Sequence, residues 1–557
     1  MPISVSKYLP RHNGTTKIIK FNERPICNHC KNPMKIVSST VSGPIVGLTE
    51  NYDVQKYYYK CGRALCDGGD EKPIQAKNMF YPPKSDFDYE VYAKVAEFRW
   101  KHKLTYEEII TGMEKDFGIV LNLATVERML KTYEIGCSQK YKPEYIEKIN
   151  ANGGVLLTID GMKPLKGNSP LYSARDELTG LKIHGKRLTS ESTKQIKEVL
   201  ITAKQRIEAE LKSKVIGIMS DAHPKQRKAI AEVFPKTLHC LCHYHFYNYV
   251  FKAPKELDSN LMTQTRKFLR GLYYLNKEKK YDNQGKHWEP KHPFTKELLK
   301  ILRALSNWKP RPKDPFFVGA ELFSRLTGVL DILEELITEI DDIGTPFEDE
   351  KVIRGLYLKI KKYIVANQDK KQELDVIKSY LTNIKDILDD DKASADTALN
   401  LLENYCKTLA TQQQRSDCGL VEAQFIEDLT KFVETKGELL FNYKRIEGAP
   451  KTNNLHELSF KQLKHFLRKI IGFRTAKSFL LSHGEHIIFV NLKENFEDIL
   501  YILKNMDYGK AREIIRLERT SRDSIRFVMH DLAKWNLKLE NLKQSANDLL
   551  EWIITKN

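Results

Sequence analysis

The sequence contains few cysteines, with nine among 557 residues. A sparse and odd-numbered set does not build a disulfide framework, so clustered cysteines are better explained as metal ligands. The sequence also lacks any apolar run near the roughly 18 residues that a membrane-spanning helix needs. The first 17 residues carry scattered charges and prolines in place of a secretory signal. We therefore expect an intracellular, cytoplasmic protein.

Acidic residues are also in short supply, with 73 Asp and Glu against 91 Lys and Arg. The formal net charge of +18 and the isoelectric point near 9.2 predict a polyanionic partner, nucleic acid first. A protein from a lysine-rich proteome would show the same excess, so charge alone does not identify the partner. At roughly 150 residues per domain, the length predicts three or four domains.

Four of the cysteines form two knuckles, Cys27-x2-Cys30 and Cys61-x4-Cys66. Four thiolates satisfy a structural zinc ion completely. Because the stretch between the knuckles is rich in aromatic and β-branched residues, residues 1–80 are predicted to form a zinc ribbon. Two pairs of ordinary reduced cysteines are the alternative.

Residues 84–148 change to helical periodicity. Thr105 and Glu108 have the spacing of a capping box, which begins the second of three predicted helices. This arrangement indicates a helix-turn-helix whose last helix offers Arg128 and Lys131 to a DNA duplex. A plain three-helix bundle with solvated basic residues is the alternative.

Residues 150–253 contain three predicted strands, a helix, a strand, a helix and a strand. This order is that of an RNase H-like fold, a mixed sheet flanked by helices. Asp160 ends the first strand and Asp221 ends the fourth. Two neighbouring carboxylates repel unless a divalent cation lies between them, and Mg²⁺ prefers such ligands. The commoner role of an aspartate after a strand is to cap the next helix or turn.

The rest of the chain is predicted to be helical. Residues 254–443 have the pattern of a large all-helical insertion, residues 444–495 return to the catalytic core with its final helix, and residues 496–557 form a C-terminal helical region. We assign no mechanism to this last region.

Glu457 lies in the first turn of the predicted final helix of the core. Basic residues follow on the same face four, seven and eleven positions later: Lys461, Lys464 and Arg468. An acidic tip continued by cations suits a DNA strand, because its phosphates need both a metal ion and counter-charge. A solvated amphipathic helix is the alternative.

These motifs together resemble those of the DDE transposases of bacterial insertion sequences and their Mutator-like relatives. The resemblance is carried by Asp160-Gly161, Ser220-Asp221, Cys242-x2-His245 and Thr452-Asn453-Asn454-x2-Glu457. It implies that Asp160, Asp221 and Glu457 form a catalytic triad that binds two divalent ions, Mg²⁺ or Mn²⁺. It also implies a role for Cys242 and His245 near the active site.

The resemblance implies a function as well. Such an enzyme binds the terminal repeats of its own element, cleaves the DNA strand and transfers it to target DNA, and it acts as a homodimer or larger assembly. Glu422 and Glu447 are alternatives to Glu457 if the helical insertion is shorter. A non-catalytic DNA-binding regulator and a nuclease without strand transfer remain alternative functions.

Overall fold

A computed structural model describes residues 12–64, 66–139, 141–162, 170–221, 223–277, 289–308, 316–343, 349–471 and 476–523. Residues 1–11 of the predicted ribbon region and 524–557 of the predicted C-terminal region lie outside these ranges. The chain divides into two compact units. The first comprises Met1–Val155, Ile159–Lys214 and Leu455–Asn557, and the second comprises Leu156–Thr158 and Val215–Asn454.

The described residues form mixed sheets and many helices. The strands are β1 His12–Ile19, β2 Lys35–Val46, β3 Asn51–Lys60, β4 Ile74–Gln75, β5 Val155–Met162, β6 Leu171–Asp176, β7 Lys182–Arg187, β8 Val215–Ser220 and β9 Leu238–Leu241. The helices of the N-terminal half are α1 Tyr89–Trp100, α2 Tyr106–Phe117, α3 Leu123–Gln139, α4 Pro143–Ala151, α5 Thr193–Ala209, α6 Pro224–Val233, α7 His243–Val250, α8 Lys252–Gly271 and α9 Tyr273–Lys277. Those that follow are α10 Pro293–Asn307, α11 Val318–Ile343, α12 Glu350–Val365, α13 Gln368–Asp389, α14 Ala395–Gln413, α15 Leu420–Phe441, α16 Asn454–Ile471, α17 Ala476–Ile487, α18 Phe496–Asn505 and α19 Tyr508–Asp523.

The N-terminal sheet is built around β3, which pairs in parallel with β1 and antiparallel with β2 and β4. In the antiparallel pair Lys35 at the start of β2 lies opposite Lys60 at the end of β3. The residues just before β2 and just after β3 therefore emerge at the same end of the hairpin. This register brings the two cysteine knuckles together.

The predicted capping box at Thr105 is confirmed. The Thr105 N–H donates to the Glu108 carboxylate at 2.7 Å, and the Glu108 N–H donates to the Thr105 hydroxyl at 3.3 Å. Gly118, with a φ of 63°, ends α2 in the left-handed conformation that glycine adopts without strain. The core of α1, α2 and α3 is continuous with that of α16, α17, α18 and α19 within the first unit.

The second sheet has the strand order β7-β6-β5-β8-β9. Strands β6 and β7 are antiparallel, whereas β8 and β9 are parallel. The predicted succession of three strands, helix, strand, helix and strand is confirmed by β5, β6, β7, α5, β8, α6 and β9. Strand β5 is shared by the two units, because its middle residues 156–158 belong to the second and its ends to the first.

The helices of the second unit, α7 to α15, enclose one large apolar core. Within it, α8 and α11 pack closely against each other. The Asp258 carboxylate accepts the N–H groups of Gly319 and Ala320 at 3.0 and 2.8 Å, which caps the beginning of α11. A Cβ on Gly319 would lie 2.0 Å from the Asp258 carbonyl oxygen. Within the described ranges, no helix is both long and apolar enough to cross a bilayer.

This crossing gives a stability test. We expect Gly319→Ala to lower the free energy of unfolding by about 1–3 kcal/mol, because the new methyl group meets backbone that cannot move aside. Gly328→Ala is the matched control in the same helix, since a Cβ there meets nothing within 4 Å. It should instead stabilise the helix by roughly 0.5–1 kcal/mol. Urea unfolding followed by circular dichroism measures both changes, and equal stability of the two variants would contradict the close crossing.

Candidate functional site

The four predicted zinc ligands lie together. Their sulfur atoms are all within 4.8 Å of one another, with Cys27 Sγ 3.7 Å from Cys66 Sγ and Cys30 Sγ 3.6 Å from Cys61 Sγ. A tetrahedral zinc ion with Zn–S bonds of about 2.3 Å requires sulfur separations of roughly 3.8 Å. The donor set and its spacing therefore fit zinc, as in a zinc ribbon.

Local backbone geometry holds this cluster. The Lys31 N–H donates to the Cys27 carbonyl at 2.9 Å, and Lys31 has a φ of 58°, so the chain turns tightly between Cys27 and Asn32. Gly68 lies against the sulfurs, because a Cβ there would be 2.6 Å from Cys27 Sγ. Hydrogen bonds from Asn32 lower the pKa of Cys30 to about 6, which favours its thiolate.

Asp160 is partly buried near the end of β5. Its carboxylate accepts the Gly161 N–H at 2.7 Å. A Cβ on Gly161 would lie 2.7 Å from the Tyr172 ring, so only glycine allows the ring to lie this close after the aspartate. The Asp-Gly pair thus combines a carboxylate with a tightly packed strand end.

Glu457 lies in the first turn of α16, as predicted, and is partly buried. Lys464 follows two turns later. Burial lowers the pKa of Lys464 and the charge of Lys477 lowers it further, while the carboxylates of Asp160 and Glu457 act in the opposite direction. Within the first unit, Asp160 and Glu457 therefore lie near enough to Lys464 for their charges to act on it.

The other predicted cations of α16, Lys461 and Arg468, are exposed to solvent. They continue along the face of the helix that carries Glu457 and Lys464. This face can contact a polyanion, because its charged groups are not buried in the core. Leu463, Phe466 and Leu467 are buried and hold the opposite side of the helix.

Arg175 is a functional candidate whose contacts the sequence did not reveal. It is buried in β6, where its exposed fraction is 5%, and its Nη1 donates to the Leu455 carbonyl of α16 at 2.8 Å. Because Leu455 lies two residues before Glu457, this bond positions the acidic turn. An arginine inside a wholly buried strand was the available signal.

Asp221 belongs to the second unit and is partly buried directly after β8. One oxygen of its carboxylate accepts the His223 N–H at 2.9 Å, which is the turn-capping role given as the alternative. The preceding Ser220 hydroxyl donates to the Asp221 carbonyl at 2.8 Å and lies 2.8 Å from His239 Nε2. Burial lowers the pKa of His239 to about 4, so the imidazole that contacts the Ser220 hydroxyl is neutral at pH 7.

Cys242 and His245 lie at the beginning of α7. Cys242 is buried and its sulfur accepts the Asn453 N–H at 3.4 Å, whereas His245 is partly buried. The neighbouring His243 binds the Leu440 carbonyl through Nε2 at 2.9 Å. Among the described residues, the zinc-type cysteine cluster is the one group of three or more potential metal ligands that gather closely. Cys242 therefore supports the segment before α16 through hydrogen bonding.

Arg128 is exposed on α3, and Lys131 is partly buried one turn later. Arg128 lines a cavity of about 360 Å³ together with Tyr92, Lys84 and Arg512. Beyond Lys131 the helix enters the core, since Tyr133 and Ile135 have no exposed surface. Only the first half of α3 is thus available to DNA.

The two alternative acids occupy different environments. Glu422 is buried at the beginning of α15, where it accepts the Tyr380 hydroxyl at 2.7 Å and pairs with Arg415 at 3.0 Å. Glu447 is exposed in the turn before α16. Glu422 therefore already serves the packing of its own helix bundle.

The cysteine cluster generates a metal prediction. We expect one zinc ion per purified chain, and we expect Cys61→Ser to lose it and to lower the unfolding temperature, because three thiolates leave the site open. Metal analysis by mass spectrometry measures this. Cys418→Ser is the control, since Cys418 is a partly exposed cysteine of the second unit. Zinc retained at full occupancy in Cys61→Ser would contradict the assignment.

The comparison with protein families agrees with one part of this site. Residues 183–249 match the family model of the MULE transposase domain. The matched span runs from β7 to α7 and includes Asp221, Cys242 and His245. No curated protein matches the chain. Over this span the chain is similar to the transposase domain of Mutator-like elements.

Proposed function

We propose that this protein is a DNA transposase with an RNase H-like catalytic domain. The observation that carries the proposal is the match of residues 183–249, which include Asp221, to the MULE transposase domain. The sheet to which this segment belongs has the strand order β7-β6-β5-β8-β9. Asp160 lies near the end of β5 and Asp221 directly follows β8, and these two strands are neighbours in this order. The charges of Asp160 and Glu457 both raise the pKa of Lys464, which adds support from the first unit.

Asp160, Asp221 and Glu457 would hold the metal ions through their carboxylate oxygens. These are hard ligands of the kind that Mg²⁺ and Mn²⁺ prefer, and each is partly exposed and hence accessible to a hydrated ion. Two such ions supply activation of the attacking water or 3′-hydroxyl and stabilisation of the leaving oxygen. Glu457, in the first turn of α16, also benefits from the positive end of the helix dipole.

Lys461, Lys464 and Arg468 would hold the phosphates of the DNA strand next to the carboxylates. The zinc ribbon and the predicted helix-turn-helix, through Arg128 and Lys131, would bind the terminal repeats. Because two DNA ends must be processed together, we expect a homodimer or larger assembly. A cytoplasmic, nucleoid-associated location follows from this substrate.

The carboxylate assignment is tested by a matched pair of variants. Purified protein should nick a duplex carrying the terminal repeats of its own element in Mg²⁺, and Glu457→Gln should reduce the rate at least about 100-fold, because the amide binds the ion poorly. Glu447→Gln should leave the rate unchanged. Asp160→Asn and Asp221→Asn should behave like Glu457→Gln. Loss in Glu447→Gln with activity in Glu457→Gln would reassign the third acid.

The same assay separates the alternative functions. A transposase gives joined products in which the donor 3′ end is linked to target DNA. A nuclease gives cut products only. A protein that shifts the terminal duplex but never cuts it in Mg²⁺ or Mn²⁺ is a DNA-binding regulator.

The basic face of α16 generates a salt prediction. Lys461→Ala and Arg468→Ala should each weaken DNA binding and reduce the slope of log K against log salt concentration by about 1. Lys469→Ala, which removes an exposed lysine from another side of α16, is the control and should change the slope least. Fluorescence anisotropy across a salt series measures the slopes. Equal slopes in all three variants would place the DNA elsewhere.

A further inference from the structure

The first unit contains a second cavity, of about 620 Å³, that does not include the proposed catalytic carboxylates. It lies between the β6–β7 hairpin, α16 and the segment after α17. Glu457, Lys461 and Lys464 of α16 do not line this cavity. The residues of α16 that do line it are Leu455, Leu458, Ser459, Gln462, Leu463, His465 and Phe466. Its volume is within the range of roughly 300–1,000 Å³ that small-molecule sites occupy.

Two cations face each other across strands in the wall of this cavity. Arg175 of β6 and Lys182 of β7 are register partners just after a β-bulge in the antiparallel pair, and both line the cavity. Like charges directly opposite one another destabilise a sheet. A pair of this kind is therefore expected where an anion offsets the repulsion.

The Lys182 ammonium group makes a backbone hydrogen bond and lacks a nearby carboxylate among the described residues. Its Nζ donates to the Val490 carbonyl at 3.3 Å, and no carboxylate of the described residues lies within 4.0 Å of it. An ammonium group has three N–H donors, so this single hydrogen bond leaves donor capacity on the cavity side. Burial and the charge of Arg175 lower the pKa of Lys182 to about 8, although the more distant Glu494 carboxylate of the same cavity raises it, so Lys182 is mostly protonated at pH 7.

Two other cations that line the cavity, Lys142 and Arg175, differ from Lys182 in this respect. Lys142 pairs with Glu494 at 3.4 Å and with Asp498 at 3.0 Å. Arg175 lies 3.6 Å from the Glu177 carboxylate and binds the Leu455 carbonyl. The charge of Lys142 is thus balanced by two nearby carboxylates, whereas no carboxylate of the described residues lies as close to Lys182.

We propose that this cavity binds a phosphate monoester, with Lys182 and Arg175 contacting its oxygens. A phosphate monoester carries a charge of about −1.5 to −2 at pH 7, which matches two adjacent cations. An arginine fork beside a lysine suits the geometry of phosphate oxygens. The phosphate belongs either to a free nucleotide or to the 5′ end of a DNA strand. The site does not depend on the proposed catalytic function, because the carboxylates of that function do not line it.

The test uses the full chain and three probes: inorganic phosphate, AMP, and an oligonucleotide with a 5′-phosphate compared with its 5′-hydroxyl form. We expect saturable binding of at least one phosphate monoester in calorimetry, weakened at least tenfold in Lys182→Met and preserved in Lys182→Arg. Lys186→Met is the matched control, because Lys186 is on the same strand and pairs with Glu198 at the surface. Its affinity should equal that of the unmodified protein.

Unfolding temperatures show whether a variant that binds phosphate poorly is still folded. Without ligand, Lys182→Met should unfold at the same or a higher temperature, because it removes a like-charge repulsion. Ligand should raise the unfolding temperature of the unmodified protein by mass action. AMP binding identifies a free nucleotide, and binding of the 5′-phosphorylated oligonucleotide alone identifies a DNA end.

The proposal is overturned if none of the probes binds saturably, or if Lys182→Met binds as tightly as the unmodified protein. Asp160→Asn should retain phosphate binding at this cavity. A protein that binds phosphate but never cleaves DNA would therefore contradict the proposed function and leave this site standing.

Discussion

The structure of the first unit depends on one buried cation, Arg175. Its hydrogen bond to the Leu455 carbonyl joins β6 to the beginning of α16. A hydrogen bond from a charged donor of this kind contributes about 1.5–3 kcal/mol. The same arginine faces Lys182 across the sheet, so it links the acidic turn at Glu457 with the cationic cavity behind it.

Helix α16 thereby separates two electrostatic environments. One face carries Glu457 with Lys464 and two exposed cations, which suits metal ions and a DNA strand. Another face lines the cavity beside Lys182. Both faces belong to one helix, and Arg175 contacts that helix at Leu455 while also lining the cavity.

Much of the fold could be predicted from local patterns. The capping box at Thr105 and the succession of strands and helices from β5 to β9 depend on short-range periodicity and turn chemistry, which the sequence states directly. The cysteine cluster followed from ligand type and spacing. By contrast, the burial of α3 beyond Lys131 could not be foreseen, because its partners α17 to α19 lie more than three hundred residues away.

The sequence by itself determined the types of groups: the four thiolates, the acids near the ends of β5 and β8, and the basic stripe of α16. These follow from residue identity and from the periods of helix and strand. Only the tertiary structure decided that Lys464 lies near Asp160, that Glu422 binds Tyr380 and Arg415, and that Lys182 is the register partner of Arg175. Each of these depends on chain segments distant in sequence or on strand register, and packing of the whole core selects both.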